Sequence, residues 1–219
     1  YSMTQNEYHF GTVWEHTMMV LEGTKDDNMI LRISALLHDI GKIRVCTEED
    51  GKIHFLKHEL KSGEMIDELL RPLKFSNEII KEVTFLVRNH MICKTWGSEC
   101  EYMKDKKLRR FQYECKTEER FRNLMTIIDA DNNAYAADKC MPKQVEFILS
   151  RTEAMKAEGS AMFGYKLPLT GKEIMDLKGI KPGSAVKECL DYLTKIAFVN
   201  PLRKKEEFVK HLLGYRLQK

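Results

Sequence analysis

Apolar positions recur every three to four residues along most of this chain, the period of helices with one buried side. Val13, Met18, Val20 and Leu21 mark such a side over 12–22. Met29, Ile30, Ile33, Leu36, Leu37 and Ile40 mark another over 26–40, which Gly41 is expected to stop. Helices are predicted next over 59–70, stopped by Pro72, and over 77–89, with Ile79, Ile80, Val83, Leu86 and Val87 apolar. A short basic helix over 104–113 and a long one over 118–137 come next, the second striped by Phe121, Leu124, Met125, Ile127 and Ile128. Residues 44–56 read as a loop, because Thr47-Glu48-Glu49-Asp50-Gly51 is charged and turn-rich. Another helix is predicted over 144–157, and Gly159, Gly164 and Pro168 make 158–169 a linker. Thr170-Gly171-Lys172-Glu173 then matches a capping box. Lys181-Pro182-Gly183 opens a helix to about Phe198, and Pro201 separates a last basic helix. The expectation is an all-α protein: a helical-bundle domain over 1–157, a linker over 158–169 and a small C-terminal helical unit over 170–219.

Composition narrows this picture. A chain of 219 residues that is 43% hydrophobic buries a substantial core, and 32% charged residues read as soluble. The net charge of +3 is mild and permits an anionic partner. No apolar run reaches the roughly 18 residues of a membrane helix, and no signal peptide opens the chain. The six cysteines are scattered without a CxxC, so reduced thiols and a cytoplasmic location are expected. The chain begins at Tyr1 rather than Met, which suggests a portion of something longer.

Candidate chemistry centres on His38-Asp39 in Leu36-Leu37-His38-Asp39-Ile40-Gly41-Lys42. A nitrogen and an oxygen ligand stand side by side at an apolar helix end, where idle polar groups are costly. The glycine after them places both near a rim rather than inside the bundle. His16, His58, His90, Asp129 and Asp131 lie at other helix positions. Each alone has an ordinary reading: a satisfied core histidine, a cap-region histidine, a dipole-complementing histidine, a surface carboxylate. Their joint occurrence points to a metal. Imidazole with carboxylate suits Mn, Fe, Co, Ni or Zn, with Mg an alternative. Two His and two Asp leave room for water at a mononuclear site. Asp129 and Asp131 differ by about 200° around a helix, so they cannot face the same way. Asp131 continues the stripe of Leu124, Ile127 and Ile128 and is the expected ligand, with Asp129 as a flanking alternative.

The arrangement H…HD…D over His16, His38-Asp39 and Asp131, with Ile40-Gly41-Lys42 after the pair, resembles the HD superfamily of metal-dependent phosphohydrolases. Gln5–Phe10, Val13–Thr17, Lys57-His58-Glu59, Leu86–Met91, Lys107–Phe111, Leu169–Ile174 and Gly179–Gly183 are similar to the HD region of bacterial CCA-adding tRNA nucleotidyltransferases and the related poly(A) polymerase family. The resemblance implies that His16, His38, Asp39 and Asp131 hold the metal. That family's polymerase head carries a Gly-Ser turn and an Asp-x-Asp pair. No such segment is recognised here, so nucleotide addition is not expected of this chain.

The resemblance further implies hydrolysis of phosphomonoesters or 2′,3′-cyclic phosphodiesters on a phosphorylated nucleotide or an RNA 3′ end. Asp39 would ligate the metal and steer the nucleophile. Lys42, His58 and His90 would contact phosphate, either histidine protonating the leaving oxygen. Arg88 and Arg109 are further anion-binding candidates. The lack of an adjacent His-His pair argues against a dinuclear site. The alternative is a helical RNA- or tRNA-binding module with a vestigial or structural metal site. Its basic clusters would be Lys104, Lys106, Lys107, Arg109 and Arg110, and Arg203, Lys204 and Lys205.

Overall fold

The computed structural model of the chain describes residues 3–4, 11–24, 28–135 and 138–217. Helices dominate: α1 (Val13–Gly23), α2 (Met29–Leu37), α3 (Lys42–Val45), α4 (His58–Leu70), α5 (Asn77–Asn89), α6 (Asp105–Cys115), α7 (Glu118–Asn133), α8 (Gln144–Ala157), α9 (Gly171–Lys178), α10 (Ser184–Val199) and α11 (Lys205–Gly214). The expected all-α class holds. Among the described residues the exceptions are a two-stranded hairpin, β1 (Thr47–Glu49) with β2 (Lys52–His54), and an isolated bridge between Thr4 and Thr12.

Local chemistry sets the helix starts. Thr170 and Glu173 form the expected reciprocal capping box on α9, and Thr12 and Glu15 form another on α1. Asn28 caps α2 and Ser76 caps α5 through side-chain oxygens. The hairpin replaces the loop expected over 44–56. Asp50 and Gly51 both have positive φ, 51° and 72°, the two-residue turn whose twist suits antiparallel strands. Helix α7 stops at Asn133 rather than 137. Ala136 and Ala137, the predicted start of the second helix at 26–27, and Gln5–Phe10 lie outside the described residues.

Gly41 does not act as the expected helix stop. Its backbone is right-handed helical (φ −67°, ψ −19°), and the chain turns through it directly into α3. A glycine is needed for closeness instead. A Cβ there would lie 2.4 Å from the Ser62 nitrogen and 2.5 Å from the His58 carbonyl oxygen. The Ser62 hydroxyl in turn accepts from the Gly41 N–H at 2.9 Å. This contact seats the turn after His38-Asp39 on the start of α4.

The packing divides the chain into two compact units, residues 1–102 with 119–148 and residues 103–118 with 149–219. In the first, Ile66 and Leu70 of α4 pack with Ile80, Val83 and Val87 of α5, and Ile30, Ile33 and Leu37 of α2 lie against them. The stripe of α7, Phe121 to Ile128, is also fully buried. In the second, Ile174, Cys189, Leu193, Ala197, Phe198, Phe208 and Leu212 of α9, α10 and α11 enclose a core with Met162 and Leu169.

Candidate metal centre

Five helices of the first unit contribute to one buried polar cluster. His16 comes from the middle of α1, His38 and Asp39 from the turn after α2, His58 from the first position of α4, His90 from the end of α5 and Asp131 from the last turn of α7. His38-Asp39 is not near a rim: the two residues are 0% and 2% exposed. The turn that Gly41 carries into α3 folds the pair under α4 rather than leaving it at a helix end.

The four histidines are aimed by one device. His38, His58 and His90 each donate Nδ1–H to the carbonyl three residues earlier, Ala35 at 2.7 Å, Phe55 at 2.9 Å and Val87 at 2.7 Å. His16 does the same to Ala134 at 3.2 Å. A carbonyl can only accept, so each Nδ1 carries a proton and each Nε2 points inward. Those nitrogens converge. His16 Nε2 and His38 Nε2 lie 3.3 Å apart, as do His58 Nε2 and His90 Nε2.

Asp39 stands between the two pairs. Its Oδ2 is 3.3 Å from His38 Nε2 and 3.6 Å from His16 Nε2, while its Oδ1 is 3.1 Å from His58 Nε2 and 3.9 Å from His90 Nε2. Asp131 Oδ1 lies 3.1 Å from His16 Nε2 and 3.8 Å from His38 Nε2. Two lysines complete the cluster. Lys42 Nζ is 2.6 Å from Asp39 Oδ2, and Lys94 Nζ is 2.9 Å from Asp131 Oδ2.

Electrostatics follow from this geometry. Burial pushes both carboxyl groups toward neutrality, but His38 and Lys42 hold Asp39, and Lys94 and His16 hold Asp131, well below the ordinary carboxylate range. Burial lowers His38, yet Asp39 and then Asp131 more than offset it, and its pKa lies above the ordinary value. For His90 the same two carboxylates do not suffice: burial, with the neighbouring His38 charge, outweighs Asp131 and Asp39 and lowers it to about 3. Tyr135, edge-on to the His16 ring, is raised by burial and then by Asp131 and Asp39.

The donor set fits a divalent cation. Inward lone pairs about 3 Å from carboxylate oxygens repel unless a proton or a cation lies between them. Asp39 Oδ2 and Asp131 Oδ2 are buried and accept no hydrogen bond of normal geometry. Donors bonded at about 2.1 Å to one ion stand about 3.0–3.4 Å apart, close to the spacings here. Two groups, His16–His38–Asp131 and His38–Asp39–His90, could each hold an ion, their donor atoms lying within 4.8 Å of one another.

The structure thus brings together His16, His38, Asp39, Lys42, His58, His90 and Asp131. It does not bring in the other candidates. Asp129 is half-buried on the flank of α7, and burial raises its pKa. Arg88 is exposed on α5, its stem crossing Gly63. Arg109 belongs to the second unit, donating to the Val199 carbonyl at 3.0 Å and the Phe198 carbonyl at 3.4 Å. Sequence reasoning missed Lys94 and Tyr135. Lys94 follows α5 on a 3-10 turn (Lys94–Trp96), where no periodicity points inward. Beside the cluster opens a cavity of about 490 Å³, walled in part by Lys42, Phe55, His58, Met91, Lys94 and Tyr135.

The family model for the HD domain matches residues 6–133. An A-adding tRNA nucleotidyltransferase of Deinococcus radiodurans is 26% identical over 200 residues, which cover 88% of this chain and 44% of that protein. A CC-adding tRNA nucleotidyltransferase of Thermus thermophilus is 28% identical over 222 residues, covering 97% of this chain and 47% of that protein. The chain spans a little under half the length of these curated relatives.

Proposed function

The chain belongs to the HD domain family, within a superfamily of metal-dependent phosphohydrolases, and from that premise we propose that it hydrolyses phosphomonoesters or 2′,3′-cyclic phosphodiesters of nucleotides or RNA 3′ ends. The observation that carries this reading is Asp39, a buried carboxylate shared between two pairs of inward-facing histidines beside an open, lysine-walled cavity. His16, His38, Asp39 and Asp131 would hold a divalent metal, with Mn, Fe, Co, Ni or Zn favoured over Mg by the imidazoles. Such an ion, when bound, supplies positive charge against phosphate oxygens and lowers the pKa of a coordinated water.

The remaining work falls to the chain's own groups. Asp39 orients the shell through both oxygens. Lys42, at the cavity wall, offers its ammonium to a phosphate oxygen while staying near Asp39. His58 lines the cavity and is the better proton donor for the leaving oxygen. His90 is held neutral by burial and serves as a lone-pair donor instead. Arg88 and Arg109 are not needed. The tRNA enzymes among the relatives favour a second reading, an RNA-binding module whose metal is structural.

The test is Mn²⁺ binding together with a phosphoester panel that includes a 2′,3′-cyclic nucleotide. The wild type is expected to bind Mn²⁺, to melt at higher temperature with it, and to hydrolyse at least one substrate. Asp39→Ala should reduce that rate by at least about 10²-fold. A wild type that neither binds Mn²⁺ nor hydrolyses any phosphoester overturns the proposal. Salt-sensitive tRNA binding without hydrolysis, unchanged in His38→Ala, supports the second reading.

A further inference from the structure

Two lysines reach the same cluster. Lys42 Nζ meets Asp39 Oδ2, the oxygen that also faces His16 and His38, at 2.6 Å, and Lys94 Nζ meets Asp131 Oδ2, the oxygen other than the one facing them, at 2.9 Å. Each ammonium group meets one of the two buried carboxylates, which makes such buried charge tolerable when no cation is bound.

Their settings differ. Lys42 is 1% exposed, enclosed beside the Phe55 ring. Lys94 is partly open at the cavity wall. Its ammonium also donates to Asn132 Oδ1 at 2.8 Å and lies 3.9 Å from the centre of the Tyr135 ring. A carboxylate, an amide oxygen and an aromatic face form a cradle that a long, flexible side chain can leave. A divalent cation on Asp131 competes with the ammonium for the same carboxylate and repels it. The open space next to Lys94 is the cavity, whose lining also includes Lys42, Lys139, Phe55, Met91 and Met141.

We propose that Lys94 is a phosphate-binding residue of this site, holding Asp131 in the absence of a cation and turning to a substrate phosphate once a cation is bound. The ligand is a phosphoester whose anionic group meets Lys94 and whose organic part lies on Phe55, Met91 and Met141. The inference rests on the proposed phosphohydrolase reading. It adds that one cation exchanges for another on Asp131.

This makes opposite predictions for two ligands. In Lys94→Gln the charge competing with the metal is gone, so Mn²⁺, titrated alone by calorimetry, should bind as tightly as to the wild type or more tightly. Inorganic phosphate, titrated into the Mn²⁺-loaded protein, should bind about tenfold or more weakly, the scale of one charge-assisted hydrogen bond. Lys94→Arg keeps the charge and should restore phosphate binding. Melting curves of both variants identify any loss of fold, and Lys94→Met at the same site provides a second uncharged variant. Weaker Mn²⁺ binding in folded Lys94→Gln and Lys94→Met would mean that the lysine merely props Asp131, and the proposal fails. Unchanged phosphate affinity also overturns it while leaving the phosphohydrolase reading intact. A wild type that binds no Mn²⁺ overturns both.

Discussion

The two units of this chain solve the problem of buried polar groups in opposite ways. In the second, the core is apolar, and its buried polar side chains bond mostly within the unit, although Arg109 Nε and Arg203 Nε have no hydrogen-bond partner. Gln112 donates to Thr152 Oγ1 at 3.3 Å and accepts from the Met162 N–H at 3.1 Å, and Arg109 donates to main-chain carbonyls at the end of α10. In the first, four histidines, two aspartates and a lysine occupy space that a stability-driven core would fill with carbon. Their Nδ1 sides are saturated by main-chain carbonyls, but their Nε2 sides point at one another and at carboxylates. A saturated polar group strengthens a fold; a converging, unsaturated set keeps the electrostatic cost that a ligand can relieve. The difference separates a structural unit from a chemical one.

The strongest test of this contrast is Phe208→Ala. Phe208 is fully buried in the apolar core of the second unit. The truncation should cost about 3–5 kcal/mol, read by urea unfolding, and the loss should be the same with and without Mn²⁺. A loss that Mn²⁺ changes would break the separation of the two units.

Gly41→Ala is the matching change in the first unit. The added methyl meets the main chain of α4 rather than a movable side chain. A cost of about 1–3 kcal/mol is expected from overpacking. Because the displaced turn carries His38 and Asp39, Mn²⁺ affinity should fall as well. Calorimetry of Gly41→Ala showing wild-type Mn²⁺ binding would sever the link between that close contact and the site.

A smaller effect distinguishes the units by pH. Lys205, followed by the Thr170 backbone and hydroxyl, lowers Glu173 from 4.5 to about 2. Its folded pKa lies below its unfolded one. The contribution to the α9 cap is therefore complete above about pH 4.5 and fades as pH falls toward 2. Hydrogen exchange in α9 should rise over that window, and Glu173→Gln should abolish the change. Equal acid sensitivity in the variant would assign the effect to other carboxylates.

Much of the framework was legible along the chain. The Thr170–Glu173 capping box is a local pattern of four residues, and the apolar stripes of α5 and α7 repeat over several turns, so neither needs distant partners to be read. The hairpin was misread because charge in Thr47–Glu49 concealed its alternation, although the Asp50-Gly51 pair is a hairpin signal in itself. Gly41 was misread because a glycine after a helix signals a stop as readily as a close approach, and only the position of Ser62 separates the two. Lys94 left no trace, since a single turn of 3-10 helix has no repeat from which to infer a face.

The sequence by itself determined which segments are helical and which residue types stand at their ends, because helix period, capping and turn chemistry act over a few neighbouring residues. Tertiary structure alone decided that His16 meets a carbonyl 118 positions away, that Asp39 divides its oxygens between two histidine pairs, and that Lys94 meets Asp131. Those facts depend on the packing of α1, α2, α4, α5 and α7 against one another. Donor–acceptor distances near 3 Å are set by how whole helices seat, and no local pattern carries that information.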